Sequence, residues 1–292
     1  MEKTTDDQQQ LTNGDGEKTL QPEHDFYRYF GRVITNVFTY FRRELKWFKK
    51  HPTMFSKLSL PEFFEEANAT IERCIEVWKT MKTYSDGRIC FHVYKMFYSL
   101  LRDPEYQQLS KYEKNILLWS TLLHDICKRG APVVKGKDPI HPFKGAWLSL
   151  YYFNDTFKFV NLSKSDFEEW DEIFKEAYQK GIDDKEVQNH IIVPHVKQFI
   201  DQKLAGNDFV IQVLLFVLLH QSVPTLKDHP HASMLEPLED EVPKYFNKRM
   251  FKVFHVFLRH DSFSYLLFSP KVRIAFGKEI DDNIELLHKH IV

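Results

Sequence analysis

Apolar residues recur at spacings of three and four along most of the chain after residue 24, which is the period of helices with one buried face. Helices are predicted over residues 30–48, 60–87, 89–101, 110–130, 165–181, 185–204, 207–220 and 242–268, with a short one after His141. Residues 272–276 alternate like a strand, but an isolated strand does not define a sheet. The pattern therefore predicts an all-α protein.

Boundaries between regions follow from the same pattern. Residues 1–24 contain almost nothing that a core would bury, so we expect a disordered N-terminal tail. No repeat and no Gly/Ser linker interrupts residues 25–292, which predicts one compact multi-helix domain. Residues 153–205 form a possible inserted helical arm, with the aromatic residues Phe167, Trp170, Phe174 and Tyr178 on one face. That face either packs on the domain, as amphipathic helices usually do, or docks a partner.

Composition excludes several classes of protein. The 40 Lys and Arg residues balance 41 Asp and Glu residues, so a nucleic-acid backbone is not an expected partner. The three cysteines do not form a disulfide framework, which favours a reducing compartment. No apolar segment follows Met1, and the longest apolar run, 213–219, is shorter than the ~20 residues that a membrane span needs. A cytoplasmic protein without a membrane anchor is the default expectation, and the sequence does not indicate an oligomeric state.

Histidine–aspartate pairs are the first sign of chemistry. His124–Asp125 lies near the end of the apolar segment ILLWSTLLHDIC, where two ionisable groups are costly to bury without a partner. A divalent metal ion is an economical partner, because imidazole and carboxylate are both good ligands. The alternative is a helix-terminal pair that hydrogen-bonds nearby backbone. We take His24–Asp25, at the edge of the polar tail, as a chance pair.

Further polar groups stand on or beside strongly apolar helices. They are His92 in ICFHVYKMF, His141 in HPFKGA, His220 at the end of VIQVLLFVLLH and Asp261 in FLRHDSF. Each has a purely structural alternative: a core histidine at His92, a helix start at His141 and a loop-facing side chain at His220. Asp228 competes with Asp261. Cys127 beside the pair lacks a base arrangement typical of a nucleophile, so we expect a buried small residue.

In this order along an all-helical chain, the residues resemble the HD-domain superfamily of metal-dependent phosphohydrolases. The most specific segments are LLHDICK and the later HPFKGA, and the resemblance runs from about His92 to Asp261. It implies an HD-type fold with a metal-ligand core at about 88–268. Cys127 replaces the usual glycine after the pair, and the interval between Ala146 and His220 is wider than in the compact family pattern.

The resemblance also implies roles for individual residues. The primary metal ligands would be His92, His124, Asp125 and Asp261, while His141 and His220 match the histidines that bind a second metal in some members. Asp125 would then bridge the ions and be catalytic. Lys128 would be catalytic and bind substrate phosphate, with Lys144 as a further substrate contact. Arg129 and Arg259 could take the same role or, alternatively, be solvated charges near helix ends. The cofactor would be one or two ions of Mn, Mg, Co, Ni, Zn or Fe.

Three functions remain open at this point. The first is a hydrolase that cleaves a phosphomonoester, a nucleotide or a cyclic phosphodiester, so that the partner is a small phosphorylated substrate. The second is a di-iron oxygenase, because the ligand order also resembles HD-type enzymes such as myo-inositol oxygenase. The third is a catalytically idle helical scaffold that binds a metal for stability or uses its groove to bind a partner.

Overall fold

A computed structural model describes residues 18–48, 62–135, 138, 140–180, 193–221 and 242–264, together with 277–278, 281–282, 285 and 291. Helices are the only regular secondary structure in these ranges, which confirms the all-α class. The α-helices are α1 Phe26–Phe48, α2 Glu65–Glu72, α3 Val77–Met81, α4 Arg88–Leu100, α5 Pro104–Gln108, α6 Lys111–Leu123, α7 His141–Tyr151, α8 Lys164–Lys180, α9 Val193–Lys203, α10 Asp208–Leu219, α11 Val242–Tyr245 and α12 Lys248–Ser264. None of the helices in the described ranges is both long and apolar enough to cross a bilayer.

Helix α6 lies at the centre of the bundle. It packs against α1, α4, α7, α10 and α12, and its side chains are buried on every face, as its continuous apolar sequence predicts. The predicted capping box is present, because Ser110 Oγ accepts from Glu113 N and Glu113 Oε2 accepts from Ser110 N. The helix ends at Leu123 rather than at Gly130. Ile126 N donates to the Leu123 carbonyl three residues back, and this tighter turn carries the chain out of the helix at the His–Asp pair.

The first residues of the domain come earlier than predicted. Residues Pro22–His24 form a 3₁₀ helix, and the His24 side chain is buried. Its ring stacks on Phe209 with the centroids 4.3 Å apart, and its carbonyl accepts a hydrogen bond from Trp119 Nε1. The predicted disordered tail, residues 1–24, is therefore too long at its C-terminal end. The polar residues before His24 favoured disorder in the prediction, but the His24 ring itself packs on an aromatic side chain. Residues 1–17 lie outside the described ranges.

Two predicted helices are interrupted. The segment predicted at 60–87 divides into α2 and α3, with 3₁₀ turns at Glu62–Phe64 and Tyr84–Gly87. The segment predicted at 242–268 divides into α11 and α12, because the Asn247 side chain accepts from Met250 N and caps a new helix. Helix α9 begins at Val193. The remainder of the helix predicted from residue 185, residues 265–268 and the predicted strand at 272–276 lie outside the described residues.

The predicted arm packs on the bundle. Trp170 of α8 is fully buried, donates from Nε1 to the Trp147 carbonyl of α7 and contacts the Phe199 ring of α9. Phe174 is buried beside it, and Phe167 stacks on Tyr151. The aromatic face of α8 is therefore used inside the molecule. The Tyr178 side chain lies outside the described part.

Candidate metal centre

The ends and inner faces of five helices bring the predicted ligands together. His92 lies on α4 and Asp261 on α12, while His124 and Asp125 follow α6. His141 begins α7, and His220 follows α10. These helices are buried because their sequences are apolar, and their few polar groups therefore meet inside the protein. The four imidazoles are at most 4% exposed and Asp125 is 1% exposed, whereas the Asp261 side chain is 22% exposed.

A first group of atoms surrounds Asp125 Oδ2. His92 Nε2 lies 3.7 Å and His124 Nε2 lies 3.6 Å from this oxygen, and the two nitrogens are 3.3 Å apart. Asp261 Oδ1 completes the group at 2.9 Å from His92 Nε2 and 3.6 Å from His124 Nε2. Two imidazoles and two carboxylates thus converge from α4, α12 and the end of α6.

A second group surrounds the other oxygen of the same carboxylate. Asp125 Oδ1 lies 2.9 Å from His141 Nε2 and 3.7 Å from His220 Nε2. The two imidazole nitrogens are 3.0 Å apart, and Gln221 Nε2 lies 3.3 Å from His141 Nε2. Asp125 therefore faces a separate pair of histidines with each of its oxygens, as a bridging carboxylate would.

The outer nitrogens of three histidines are fixed by backbone. His124, His141 and His220 each donate from Nδ1 to the carbonyl of the residue three positions earlier. These carbonyls belong to Thr121, Asp138 and Val217. Because a carbonyl only accepts, Nδ1 carries an imidazole hydrogen, and in its neutral form each ring presents a bare Nε2 lone pair to the site.

This arrangement fits a cation. In the second group, two Nε2 lone pairs and a carboxylate oxygen face one another, and neutral rings have no hydrogen to place between them. A proton would satisfy one such contact, whereas a divalent ion would satisfy all three. His92, His124 and Asp125, and separately Asp125, His141 and His220, could each hold a metal ion, since one donor atom from each residue lies within 4.8 Å of the others.

The pKa shifts of the site residues also favour binding of a cation. Burial favours a neutral acid, but the Lys128 ammonium and His124 hold the pKa of Asp125 well below its usual range. Burial lowers the pKa of His92 to about 4 and that of His220 to about 3, so both rings are neutral at pH 7. His124 differs, because the charges of Asp125 and Asp261 outweigh burial and raise its pKa. The site thus combines ionised carboxylates with two neutral imidazoles, His92 and His220, and these are the protonation states that metal binding requires of such ligands.

Comparison with models of known protein families, with characterised proteins and with solved structures gives no match.

The predicted substrate-binding cations lie on the segment after Asp125 and on α7. Lys128 Nζ donates to both Asp125 oxygens, at 3.1 and 2.9 Å, and its side chain is 22% exposed. Arg129 donates from its backbone N and from Nε to Asp138 Oδ2, so its guanidinium fixes this loop. Burial, followed by the charge of Arg129, lowers the pKa of the half-buried Lys144. Among these three cations, Lys128 is thus the one that donates hydrogen bonds to the Asp125 carboxylate.

Some residues of the site escape prediction from sequence. Ser264 Oγ lies 2.7 Å from His92 Nδ1, and Gln221 lies beside His141. Their spacing was the available signal, because Ser264 follows Asp261 by one helical turn and Gln221 follows His220 directly.

Cys127 is half-buried, and burial raises the pKa of its thiol to about 12, which disfavours the thiolate that a nucleophile needs.

Proposed function

We propose that this protein is a metal-dependent phosphohydrolase of the HD type. The observation that carries the proposal is Asp125, whose two oxygens face different pairs of imidazoles. A carboxylate shared in this way supports a two-ion site, and such sites are typical of enzymes that cleave phosphate esters. The donor set of four imidazoles and two carboxylates suits Mn, Fe, Co, Ni or Zn better than Mg, which prefers oxygen ligands.

When bound, two ions of this kind polarise a phosphoryl oxygen and lower the pKa of a water molecule. The residues of the chain do the rest. The histidines and Asp125 are almost fully buried, so they define the floor of the site. Lys128 and Asp261 are the more exposed side chains, and substrate therefore approaches from their side. Lys128 presents a point charge to a phosphate oxygen, as lysines commonly do.

The substrate class is a phosphomonoester, a nucleotide or a cyclic phosphodiester. All three place a phosphate oxygen where Lys128 and the two ligand groups converge. The rest of the substrate would be bound by segments around this opening, because specificity resides in the loops of a site rather than in its fold.

The test combines metal analysis with phosphatase assays. We expect the purified protein to contain near-stoichiometric transition metal, and to release phosphate or nitrophenol from p-nitrophenyl phosphate, its diester or nucleotides. Asp125→Ala should lose both the metal and the activity and keep its helical circular dichroism. Asp103→Ala is the matched control, because Asp103 is a partly buried carboxylate that also bonds a histidine, His260 at 2.8 Å, and belongs to neither ligand group.

Other outcomes would displace the proposal. Two irons per chain with oxygen uptake and no phosphate release would favour the oxygenase alternative. Turnover retained in Asp125→Ala would remove the metal mechanism. Absence of metal from the wild type, even after reloading, would leave a helical scaffold without this chemistry.

A further inference from the structure

One ligand of the metal centre is anchored differently from the other histidines. His124, His141 and His220 donate to backbone carbonyls, but the His92 Nδ1 atom faces the hydroxyl of Ser264 at 2.7 Å. The same hydroxyl lies 2.8 Å from the Asp261 carbonyl oxygen. Ser264 is fully buried, and these two groups are the hydrogen-bond neighbours of its hydroxyl within the described part of the chain.

A hydroxyl differs from a carbonyl because it both donates and accepts, and its hydrogen rotates. If Ser264 donates to His92 Nδ1, the imidazole hydrogen lies on Nε2, where it points to Asp261 Oδ1 at 2.9 Å and His124 Nε2 at 3.3 Å. If Ser264 instead donates to the Asp261 carbonyl, its oxygen accepts a hydrogen from His92 Nδ1. The Nε2 lone pair of His92 is then bare. In the first arrangement the Asp261 carbonyl gives up the Ser264 hydrogen. In the second, the bare Nε2 of His92 faces Asp261 Oδ1 and His124 Nε2, which is unfavourable without a cation between them.

We propose that Ser264 is a positioning residue that lets His92 exchange tautomers when a metal ion enters the first group. Without the ion, His92 donates from Nε2 to Asp261 and accepts at Nδ1 from the Ser264 hydroxyl. With the ion, the imidazole hydrogen lies on Nδ1 and is donated to Ser264, whose own hydrogen turns to the Asp261 carbonyl. The imidazole carries one hydrogen in both states, so the exchange changes no charge.

The histidines therefore differ in how they are prepared for an ion. The three that are held by carbonyls keep their hydrogen on Nδ1, so that Nε2 can bind an ion directly. In the ion-free state His92 instead donates a hydrogen bond from Nε2 to Asp261, and the ion replaces this bond. The inference rests on the metal binding proposed above and is independent of the reaction catalysed.

The protein provides an unusually close control. Ser99 on α4 is 3% exposed and bonds His260 Nδ1 on α12 at 2.8 Å. It therefore joins the same two helices through the same pair of residue types, but His260 bonds Asp103 and is not in either ligand group. Ser264→Ala and Ser99→Ala should lose comparable stability, since each deletes one buried hydroxyl between α4 and α12.

Zinc affinity separates the two variants. In competition with a zinc chelator, Ser264→Ala should bind the first ion about 10- to 100-fold more weakly, which is the range for loss of a residue that orients a ligand. Ser99→Ala should remain close to the wild type. Equal affinities in the two variants would overturn the role of Ser264.

Nitrogen chemical shifts of the imidazoles provide the direct readout, because they distinguish the two tautomers. In full-length wild-type protein labelled with ¹⁵N-histidine, His92 should change from the Nε2–H to the Nδ1–H form on addition of zinc. His141 and His220 should keep the Nδ1–H form in both states. This measurement does not depend on whether Ser264→Ala folds. Zinc binding with an unchanged His92 tautomer would overturn this inference alone, whereas no zinc binding at all would remove the proposed metal centre.

Discussion

At the scale of single residues, Asp125 organises the candidate site. A carboxylate buried to 1% exposure needs positive charge on both oxygens, and each oxygen here faces two imidazoles and the Lys128 ammonium. Removing a histidine from one group should therefore affect that group and leave the other intact. The structure separates the two groups cleanly, since His220 contacts Asp125 Oδ1 whereas His92 contacts Oδ2.

His220→Ala tests this separation. We expect metal content to fall from about two ions to about one ion per chain, because the second group loses one of its two imidazoles while the first keeps its full set. Metal analysis after dialysis measures the change, and circular dichroism checks that the helices persist. His260→Ala is the control, as it removes a buried histidine outside both groups. Unchanged stoichiometry in His220→Ala would exclude a two-ion site.

The predicted ligands were visible in the sequence because ionisable groups inside apolar helices are costly without a partner. Their supporting contacts were not visible. Every residue type has a backbone carbonyl, so the sequence does not mark those of Thr121, Asp138 and Val217 as anchors. Nothing in the sequence distinguishes Ser264 from another serine on a helix. The interaction of Arg129 with Asp138 was also beyond prediction, because the loop between them has no periodic pattern.

At the scale of elements, close approach of α7 to the end of α6 places His141 beside Asp125. Gly145, one turn after His141, makes this approach possible. A Cβ atom there would lie 3.1 Å from Val217 Cγ1 on α10 and 3.3 Å from the His124 carbonyl oxygen. The second contact is with backbone, which cannot move without displacing the His–Asp pair itself.

Gly145→Ala should therefore destabilise the protein by about 1–3 kcal/mol and weaken binding of the second ion, as expected when a tight interface is overpacked. Urea denaturation and zinc titration measure the two effects. Gly31 offers the matched control within α1, since a Cβ atom added there would come no closer than 4.0 Å to its nearest neighbour, Tyr27 Cδ1. Gly31→Ala should be stabilising by about 0.5–1 kcal/mol because alanine is the better helix former. Loss of stability in Gly31→Ala as large as in Gly145→Ala would contradict the packing argument.

The hydrophobic periodicity predicted where most of the described helices lie, but it predicted their first and last residues less accurately. Ser110, Asn207 and Gly87 mark boundaries in the sequence that the structure keeps. The division between α2 and α3 has no such marker. Ile71, Ile75 and Trp78 retain helical spacing across it, so the periodicity conceals the break. Asn68 Oδ1 accepts hydrogen bonds from Trp78 and Tyr94, which lie 10 and 26 residues later in the chain. Hydrophobic periodicity does not reveal contacts of this kind.

At the scale of the whole molecule, an aromatic cluster fastens the N-terminal segment to the helices of the bundle. Trp119 of α6 contacts Phe26, Phe153 and Phe157, and its indole donates to the His24 carbonyl. His24 is inserted beside this cluster with Nδ1 buried and lacking a hydrogen-bond partner among the described residues. Burial lowers the pKa of this imidazole, with the charge of Glu23 opposing the shift.

The depressed pKa of His24 makes stability depend on pH. The unfolded chain binds a proton near the ordinary pKa of 6.5, while the folded chain resists it, so stability should fall as the pH decreases through and below that value. In His24→Phe the ring contacts persist without the titration, and the loss of stability between pH 7 and pH 5 should be smaller. Urea midpoints at both values test this. An identical pH dependence in the two proteins would mean that the folded protein protonates His24 as readily as the unfolded chain does, so that burial does not lower its pKa.

The carbonyl anchors of the histidines have an evolutionary consequence. At positions 121 and 217, any amino acid that keeps the local turn and fits the buried space supplies the same oxygen. Asp138 is more constrained, because its side chain also accepts hydrogen bonds from Arg129. Backbone anchoring therefore sets no requirement of its own on the side chain at these positions, beyond the packing of that side chain. Ser264 is the exception, and orthologues that have lost its hydroxyl should reveal a compensating acceptor for His92 elsewhere.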